Sequence, residues 1–330
     1  MNEKELPLVS IVTPSLNQGQ FIEQTILSIR RQDYRNLEHI IVDGGSRDNT
    51  LSVLRKHERT YNMRWISEPD NGMYQAINKG MKQAKGDILA YLNADDLYLP
   101  WTLRVVVERF YHRPSVDVVY GDMIYMPMLG ECGFIIFNPP EQILRTHLRL
   151  FGSITQPTVF WRRRVFESLN QFDEGLQIVG DYDFWIRAAR SYRFLKVDEV
   201  LAIERAHQQK KSLRSIDDLR QEEDRVKARH YGRHSIKVSA ERILYALLWS
   251  RYNAVRVFML CPKWSSKSRE GGGWRHFLGT RVLSRLSPRE LCITFTPGLT
   301  VAVKRRKPDF RQGYVDVKRL VEIALQSGSL

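Results

Sequence analysis

Leu92-Asn93-Ala94-Asp95-Asp96 joins an apolar run, Ile88 to Leu92, to a short acidic loop. Such a run predicts a strand buried on both faces of a parallel sheet. Open α/β sheets bind ligands at the carboxyl ends of their strands, so the two carboxylates stand where a ligand is expected. With the Asn93 amide they form an oxygen-rich patch that suits a hard divalent cation, Mg²⁺ or Mn²⁺. The alternative is that Asp95 and Asp96 only end the strand and cap the next helix.

The chain before this stretch alternates between strand and helix patterns. Leu8 to Thr13 and Leu37 to Val42 are predicted strands, and helical patterns follow them from Phe21 to Ile29 and up to His57. This alternation predicts βαβ units with a parallel sheet. Asp43 follows the second strand and precedes two glycines, so it is either a turn former or a ligand-binding residue. No P-loop and no G-x-G-x-x-G pattern occurs, which favours a metal for any phosphate binding.

Further elements are predicted from the same periodicities. The predicted helices are Met73 to Ala84 with Gly86 as its C-cap, Trp101 to Tyr111, Glu141 to Leu150, Gly180 to Ala189 and Ile216 to His230; the predicted strands are Met63 to Ile66, Val116 to Tyr120, Phe134 to Phe137 and Ile154 to Trp161. Asp181 stands at or just before the first turn of its helix, where an N-cap is one explanation for it.

Four segments in order carry a family resemblance. They are Asp43-Gly-Gly-Ser-x-Asp, the stretch from Ser67 to Gly80 (SEPDNGMYQAINKG), Leu92 to Asp96, and Gly180-Asp-Tyr-Asp-x-Trp-x-Arg187. Over about residues 7 to 215 the chain resembles the inverting family-2 glycosyltransferases of the GT-A fold, closest to bacterial enzymes that build lipopolysaccharide, capsule and exopolysaccharide. The resemblance implies an α/β fold with a Rossmann-like, mostly parallel sheet.

The resemblance also implies a domain plan. Residues 1 to 215 would form the catalytic domain, with about 1 to 125 binding the nucleotide sugar and about 126 to 215 facing the acceptor. Residues 216 to 330 lie outside the resemblance; their charge and periodicity predict a basic, mainly helical extension that either lies on a membrane surface or packs against the catalytic domain.

Site roles follow from the resemblance position by position. Asp181 matches the catalytic base, although Gly180 stands where a glutamate is commoner. Asp95 matches the last carboxylate of the metal-binding motif, whose first position is Asn93 here, and His207 of Arg205-Ala-His207 matches a histidine that approaches the metal or diphosphate. The expected nucleotide and donor contacts are Pro14, Ser15, Asp43, Asp70, Asn71, Asn78, Lys79, Asn93 and Asp96; Gln156 and Trp185 are expected on the acceptor side.

The implied reaction moves a hexosyl or N-acetylhexosaminyl group from a nucleotide-diphosphate sugar to a glycan or polyprenyl-linked acceptor. A base takes the proton of the acceptor hydroxyl while Mn²⁺ or Mg²⁺ stabilises the departing diphosphate. Two alternatives stay open: a nucleotidyltransferase, which is expected to carry a glycine-rich basic loop after the first strand, and a non-catalytic adaptor that binds glycan or membrane. The sequence leaves the oligomeric state open.

Composition indicates a globular protein in a reducing compartment. The chain has 330 residues, 43% of them apolar, which is enough for a sizeable core. Its three cysteines are widely spaced, which argues against a disulfide framework or a zinc site. The polar start, Met1 to Pro7, predicts no secretory signal, and no apolar run of spanning length occurs. We expect a cytoplasmic protein, peripheral on the inner face of the cell membrane.

The basic charge is concentrated in the last third of the chain. The net charge is +14 overall; residues 205 to 330 carry 27 basic against 11 acidic side chains, whereas residues 1 to 204 carry 24 against 26. This asymmetry indicates contact with an anionic surface, with a solvated basic face as the alternative. No nucleic-acid motif accompanies Lys304-Arg305-Arg306-Lys307, so lipid is favoured over nucleic acid. The aromatic residues Tyr245, Trp249 and Tyr252 suit a membrane interface.

Overall fold

The computed structural model describes residues 6 to 126, 134 to 208, 210 and 216 to 232. The strands are β1 Val9–Ser15, β2 Leu37–Asp43, β3 Met63–Ser67, β4 Ile88–Tyr91, β5 Leu97–Tyr98, β6 Val118–Met126, β7 Phe134–Ile136, β8 Val159–Arg162 and β9 Phe194–Arg205. The helices are α1 Ile22–Arg30, α2 Thr50–His57, α3 Met73–Gln83, α4 Thr102–His112, α5 Leu144–Leu150, α6 Arg163–Ser168, α7 Gly180–Ser191 and α8 Ile216–Tyr231. Glu141–Ile143 and Gln156–Thr158 are short 3-10 helices.

The strands form a single mixed sheet in the order β3-β2-β1-β4-β8-β6-β9-β5, with β7 paired to β6. The first four strands of this order are parallel, and β8 joins β4 and β6 in antiparallel fashion. The order reverses at β1, since β2 lies on one side of it and β4 on the other. This is a topological switch point, where the loops at the carboxyl ends open a crevice for a ligand.

Close backbone packing brings α3 onto the parallel part of the sheet. A Cβ atom at Gly80 of α3 would lie 2.5 Å from Cγ1 of Val12 on β1, so only glycine allows this approach. Val12 is fully buried, as are Ile77 and Leu89 in the same apolar cluster. A second cluster, around Ile11, Ala90 and Val106, packs on the other face. The central strands are therefore buried on both faces, as their continuous apolar runs predict.

The predicted α/β class with a Rossmann-like, parallel-dominated sheet is confirmed, and the predicted elements are present with shifted ends. One prediction is wrong: Gly86 does not cap α3, which ends at Gln83 with Ala84 in an extended conformation. A Cβ atom at Gly86 would lie 2.6 Å from the backbone oxygen of Leu8, so this glycine permits a close crossing of β1. The strand predicted from Ile154 begins only at Val159, because Gln156–Thr158 forms a 3-10 turn.

Helix α8 belongs to the same compact unit as the sheet, so a domain boundary after residue 215 falls inside this unit. Its His230 Nε2 lies 2.7 Å from Oδ1 of the buried Asp183 on α7. None of the helices in the described part of the chain is both long and apolar enough to span a bilayer. The expectations for Tyr245, Trp249, Tyr252 and residues 304 to 307 lie outside the described residues.

Candidate functional site

Asp43 organises the loop that follows β2. Its fully buried carboxylate accepts hydrogen bonds from the backbone N–H groups of Gly45 (3.1 Å) and Ser46 (2.8 Å) and from the Ser67 hydroxyl (2.7 Å). Gly45 has a φ of +84°, which favours glycine. Asp43 is thus a turn former, as one of the two sequence interpretations states, and it stands at the carboxyl edge of the sheet.

Hydrogen bonds join the loops after β1 and β2 at the carboxyl edge of the sheet. The N–H of Asn17 donates to the Ser46 hydroxyl (2.7 Å), and the N–H of Gly19 donates to the Asp48 carboxylate (2.9 Å). Pro14 and Ser15 end β1 directly beside β2, with Ser15 in register with Asp43. The Ser15 hydroxyl is buried and has no hydrogen-bond partner. The expected base-contact residues Pro14, Ser15 and Asp43 therefore meet at one place.

Asp70 lies over the glycine pair of the β2 loop. A Cβ atom at Gly44 would lie 2.7 Å from Oδ2 of Asp70, and Oδ1 of Asp70 accepts the N–H of Gly72 at 3.0 Å. Asn71 is exposed, and its backbone N–H donates to the Gln75 side chain. The segment after β3 thus reaches the same edge as the loops after β1 and β2.

The acidic loop after β4 contacts the end of β9 and the residues that follow it. Nε2 of His207 lies 2.8 Å from Oδ2 of Asp95, and both side chains are about nine-tenths buried. Burial opposes ionisation of Asp95, but the hydrogen bond with His207 and the positive charge of Lys210 outweigh it and hold the pKa of Asp95 below its ordinary value. Asp95 is therefore a carboxylate at neutral pH.

Asp96 is fully buried next to Asp95. Its Oδ1 accepts the backbone N–H of Arg205 at 3.2 Å, and the Asn93 amide approaches Oδ2 at 3.4 Å. Burial, opposed by Lys210, raises the pKa of Asp96 to about 7. Arg205 is also buried, and its guanidinium bonds the backbone oxygen of Asp95 and the side chain of Gln24. This arrangement fixes the acidic loop against α1 and β9.

Lys210 places an ammonium group among these carboxylates. Its Nζ lies 3.4 Å from Oδ1 of Asp96, 4.0 Å from Oδ2 of Asp95 and 3.0 Å from Oε1 of Glu204. The three carboxylates raise the pKa of Lys210 against the opposing effect of burial, so the group is charged. We call Asp95, Asp96, Glu204 and Lys210 the acidic cluster. The three carboxylates of this cluster surround a cation, the Lys210 ammonium.

The side chains around this cluster fit a hard divalent ion by their chemistry. Asp95 and Asp96 offer carboxylate oxygens, and the amide oxygen of Asn93 is buried without a hydrogen-bond partner. Nδ1 of His207 is likewise buried and unpartnered. Across the described residues, however, no group of three His, Cys, Asp or Glu side chains is arranged as a ready metal site. A metal would therefore need Asn93 as a ligand or a shift of the cluster.

Asp181 occupies the first turn of α7. The helix begins at Gly180 after Val179, which supplies no side-chain cap, so the N-cap explanation for Asp181 is wrong. The Asp181 carboxylate instead accepts a hydrogen bond from Ser153 Oγ at 3.1 Å and is approached by the Tyr74 hydroxyl at 3.4 Å. A Cβ atom at Gly180 would lie 2.7 Å from the Tyr74 ring, which explains why no glutamate stands there.

The buried phenol of Tyr91 is close enough to both Asp181 and Asp96 for their charges to affect its pKa. Tyr91 ends β4, one residue before the acidic stretch. Burial is the main cause that raises its pKa, and the charges of Asp181 and Asp96 add to the rise. Asp181 and Asp96 therefore act on the same buried side chain from α7 and from the β4 loop.

Two residues expected at the donor, Asn78 and Lys79, make contacts within the fold. The Asn78 amide is almost fully buried; it donates to the backbone oxygen of Phe172 (2.9 Å) and accepts the N–H of Phe172 (3.0 Å). Its hydrogen bonds thus hold the Phe172 turn against α3. Lys79 forms an ion pair with Glu68 on the surface. The polar atoms of Asn78 are thus used within the fold, and a contact of Asn78 or Lys79 with the donor stays a prediction.

The two residues expected on the acceptor side are both buried. Trp185 is fully buried, with its ring centroid 5.3 Å from that of Trp161, so it packs α7 on the sheet and offers no surface to an acceptor. Gln156 is 8% exposed, and its Nε2 donates to the backbone oxygen of Tyr91 at 2.6 Å. The Gln156 amide therefore supports the end of β4, and an acceptor-side role for Gln156 and Trp185 stays a prediction.

Comparison with known proteins identifies the family. The sequence pattern of Glycosyl transferase family 2 matches residues 10 to 169. A PGL/p-HBAD biosynthesis glycosyltransferase of Mycobacterium tuberculosis is 33% identical over 185 residues, which cover 55% of this chain and 69% of the relative. The chain belongs to glycosyl transferase family 2. An uncharacterized glycosyltransferase of Rickettsia typhi is 26% identical over 233 residues, covering 66% of this chain and 70% of the relative.

Solved structures show the same fold for this family-2 glycosyltransferase. S. aureus TarS in complex with UDP has a TM-score of 0.53 at 18% identity and covers 75% of this chain and 72% of its own. The mannosyltransferase PcManGT from Pyrobaculum calidifontis, in complex with GDP-Man and Mn²⁺, has a TM-score of 0.55 at 18% identity, with 98% and 87% covered. The predicted GT-A fold and the prediction of a glycosyltransferase are confirmed.

Sequence reasoning missed several residues of this site. Ser153 donates to Asp181, the Tyr74 hydroxyl lies next to it, and Glu204 and Lys210 complete the acidic cluster. Tyr74 belongs to the quoted Ser67 to Gly80 segment, and that membership was the available signal. Lys210 stands three residues after His207 and had no signal beyond that proximity.

Proposed function

We propose that this glycosyltransferase transfers a sugar from a nucleoside-diphosphate donor to a hydroxyl of a glycan or lipid-linked acceptor, with inversion at the anomeric carbon. The supporting observation is that the chain holds two separate carboxylate groups with different partners near the end of β4 and at the start of α7. Asp95 lies in the acidic cluster, and Asp181 lies on α7 with different partners. A single displacement needs this division, because one group serves the leaving diphosphate and another takes the acceptor proton.

Asp181 acts as the general base of the proposed reaction. One of its oxygens accepts a hydrogen bond from Ser153, which orients the carboxylate, and the other lies 3.4 Å from the Tyr74 hydroxyl, whose proton goes to the backbone oxygen of Ile178. Its position in the first turn of α7 favours the negative charge, since the helix N-terminus is positive. The carboxylate then removes the proton of the acceptor hydroxyl as that oxygen attacks the anomeric carbon.

Asp95, with Asn93, Asp96 and His207 around it, is the proposed site of Mn²⁺ or Mg²⁺. A bound divalent ion there supplies electrostatic stabilisation of the departing diphosphate. Pro14, Ser15, Asp43, Asp70 and Asn71 line the donor side, where the loops after β1, β2 and β3 converge. The complexes of TarS with UDP and of PcManGT with GDP-Man and Mn²⁺ support a nucleoside-diphosphate donor class.

A screen of sugar nucleotides tests this proposal. We expect one donor to raise the melting temperature of the full chain in the presence of Mn²⁺ or Mg²⁺, because a ligand that binds only the native state stabilises it. The Asp95→Asn variant is expected to lose the metal-dependent part of this shift, whereas Asp33→Asn, at an exposed ion pair with Arg104, is expected to keep it. No stabilisation by any sugar nucleotide, with or without metal, would contradict a donor site.

The basic last third of the chain supports a membrane-bound acceptor. Residues 205 to 330 have 16 more basic than acidic side chains, which is a charge that attracts an anionic lipid surface. A polyprenyl-linked acceptor would be presented at such a surface. We therefore propose peripheral association with the inner face of the cell membrane, with glycans of the cell surface as products.

A further inference from the structure

We infer that the Lys210 ammonium competes with the divalent cation of the donor site, and that the ion binds only when this ammonium has moved away. The inference rests on the cation site of the proposed function and adds to it a residue that sets metal affinity. Lys210 would then decide how much free Mn²⁺ or Mg²⁺ the protein needs before it can hold a donor.

The first observation is the coordination of the ammonium. Four oxygens surround Nζ of Lys210: Glu204 Oε1 at 3.0 Å, the backbone oxygen of Arg205 at 3.1 Å, Asp96 Oδ1 at 3.4 Å and Asp95 Oδ2 at 4.0 Å. The Lys210 side chain is only 11% exposed. Carboxylate and carbonyl oxygens are also the ligands that Mg²⁺ and Mn²⁺ prefer, so both cations are suited to the same oxygens.

The second observation is electrostatic. An ammonium and a divalent ion that share Asp95 and Asp96 would lie within a few Å of each other in a largely buried place. Their repulsion is strong there, because water screens charges poorly in the protein interior. Simultaneous occupation is therefore unfavourable, and one cation has to exclude the other.

The third observation is an unused acceptor. The Asn93 amide oxygen is buried without a hydrogen-bond partner while Lys210 neutralises the cluster. A buried acceptor without a partner is costly, so the arrangement with the ammonium leaves one potential ligand unsatisfied. A divalent ion on Asp95 offers that oxygen a partner that the ammonium does not.

The fourth observation concerns how Lys210 can leave. The two atoms within 3.1 Å of its Nζ, Glu204 Oε1 and the Arg205 backbone oxygen, are both at the end of β9 rather than on the acidic loop. Lysine has a flexible four-carbon stem, so its ammonium can leave the cluster without movement of β9. His207 keeps its own contact with Asp95.

Direct binding of Mn²⁺ to the nucleotide-free full chain tests the inference. We expect Lys210→Met to bind Mn²⁺ about tenfold more tightly than the wild type in calorimetric or electron paramagnetic resonance titrations, because the competing charge is gone. Lys196→Met is the matched control. Lys196 is a buried lysine that pairs with Asp122 (3.0 Å) and Asp198 (3.4 Å), and its removal is expected to leave Mn²⁺ affinity unchanged. Equal or weaker Mn²⁺ binding by Lys210→Met would overturn the inference.

A measurement on the wild type avoids any folding defect of the variant. Acetylation of Lys210 by acetic anhydride, followed by peptide mass spectrometry, is expected to become several-fold faster when Mn²⁺ is added. The amine that Mn²⁺ displaces leaves the buried cluster and becomes more accessible to the reagent. Lys196 serves as the internal reference, with an unchanged rate. Labelling of Lys210 that stays constant or slows with Mn²⁺ would also overturn the inference.

The two proposals fail in different ways. If a sugar nucleotide binds while neither the wild type nor Lys210→Met binds Mn²⁺, competition at Lys210 is refuted and the donor site stands. If Lys210→Met binds Mn²⁺ more tightly but no sugar nucleotide stabilises either protein, the competition stands and the proposed transferase reaction is contradicted.

Discussion

Tyr74 determines which residue can stand next to the proposed base. Its ring fills the space that any side chain at position 180 would need, with a Cβ to ring distance of 2.7 Å. The same tyrosine donates a hydrogen bond to the backbone oxygen of Ile178 at 2.9 Å. The glycine that departs from the usual pattern of the family is thus next to an aromatic residue whose hydroxyl accepts the backbone N–H of Asp181 at 3.3 Å.

We predict that Gly180→Ala destabilises the protein by about 1 to 3 kcal/mol, the usual cost of overpacking a rigid neighbour. Chemical denaturation of the wild type and the variant measures this difference. In a Tyr74→Leu background the same substitution is expected to cost less, because the ring has been removed, and the double-mutant cycle isolates the coupling. Equal costs in both backgrounds would show that Tyr74 does not restrict position 180.

His39 couples stability to pH from the middle of β2. It is fully buried between the Thr13 hydroxyl (2.8 Å) and the Tyr61 hydroxyl, and burial lowers its pKa from 6.5 to about 3. The unfolded chain therefore takes up a proton near pH 6.5 that the folded chain refuses until about pH 3. Stability is lost as the pH falls through this range, by at most about 1.4 kcal/mol per pH unit from this residue.

We predict that His39→Gln reduces the loss of stability between pH 7 and pH 4.5, whatever its effect on stability at pH 7. Urea denaturation at a series of pH values measures the slope. The exposed His112 provides the control, since His112→Gln should leave the slope as in the wild type. An unchanged slope in His39→Gln would assign the acid sensitivity to other groups.

Sequence reasoning could place individual residues only where a motif carried them. The Asp95 to His207 contact agrees with the R-x-H resemblance, although the metal role of both residues is still a prediction. Asn78 stands in an equally recognisable motif, yet its amide is hydrogen-bonded to the backbone of Phe172, which lies 94 positions further along the chain. Such a contact depends on tertiary packing, which no local pattern reports. Sequence reasoning missed Lys210 for the same reason.

At the scale of elements, α8 supports the start of α7. Val179 gives α7 no side-chain cap, and instead Glu222 of α8 accepts the N–H groups of Gln177 (2.7 Å), Ile178 (2.8 Å) and Val179 (3.2 Å). Glu222 is 8% exposed. The Glu222 carboxylate of α8 thus accepts the backbone N–H groups that precede α7. These hydrogen bonds fix the turn that leads to Asp181.

We predict that Glu222→Ala lowers stability by about 1 to 3 kcal/mol, because three N–H groups lose a charged acceptor. It is also expected to lower transferase turnover more than donor affinity, since the disturbed turn holds the base and not the donor. Asp224→Ala, at an exposed position of the same helix, is the control. A variant with normal turnover would limit Glu222 to a purely structural role.

Element boundaries were less predictable than element identity. The alternation of strand and helix patterns predicted the parallel strands β1 to β4, and the apolar run is nearly continuous in the central strands β1 and β4. The end of α3 was misjudged because a glycine two residues beyond a helix is the usual sign of a C-cap, whereas Gly86 serves the crossing of β1. No local sequence pattern indicated that Ala84 adopts an extended conformation.

At the scale of the whole molecule, the charge asymmetry predicts salt-sensitive membrane binding. We expect the full chain to co-sediment with anionic liposomes but not with neutral ones, and expect binding to weaken as salt rises. Replacing Lys304, Arg305, Arg306 and Lys307 by glutamine should reduce this binding, whereas replacing Lys56, Arg59, Lys82 and Lys85 in the first third should not. Equal binding by both quadruple variants would refute a specific role for the C-terminal basic cluster.

The central claim is that Asp95 serves the leaving diphosphate and that Asp181 takes the proton of the acceptor hydroxyl. The most direct test compares Asp181→Asn with the wild type, using the donor that the screen selects and measuring both donor affinity and nucleoside-diphosphate release in the presence of acceptor. We predict that turnover falls by about 100-fold or more while the donor dissociation constant stays within about threefold, because only the base is lost. Wild-type turnover by Asp181→Asn would contradict the assignment of the base and with it the proposed mechanism.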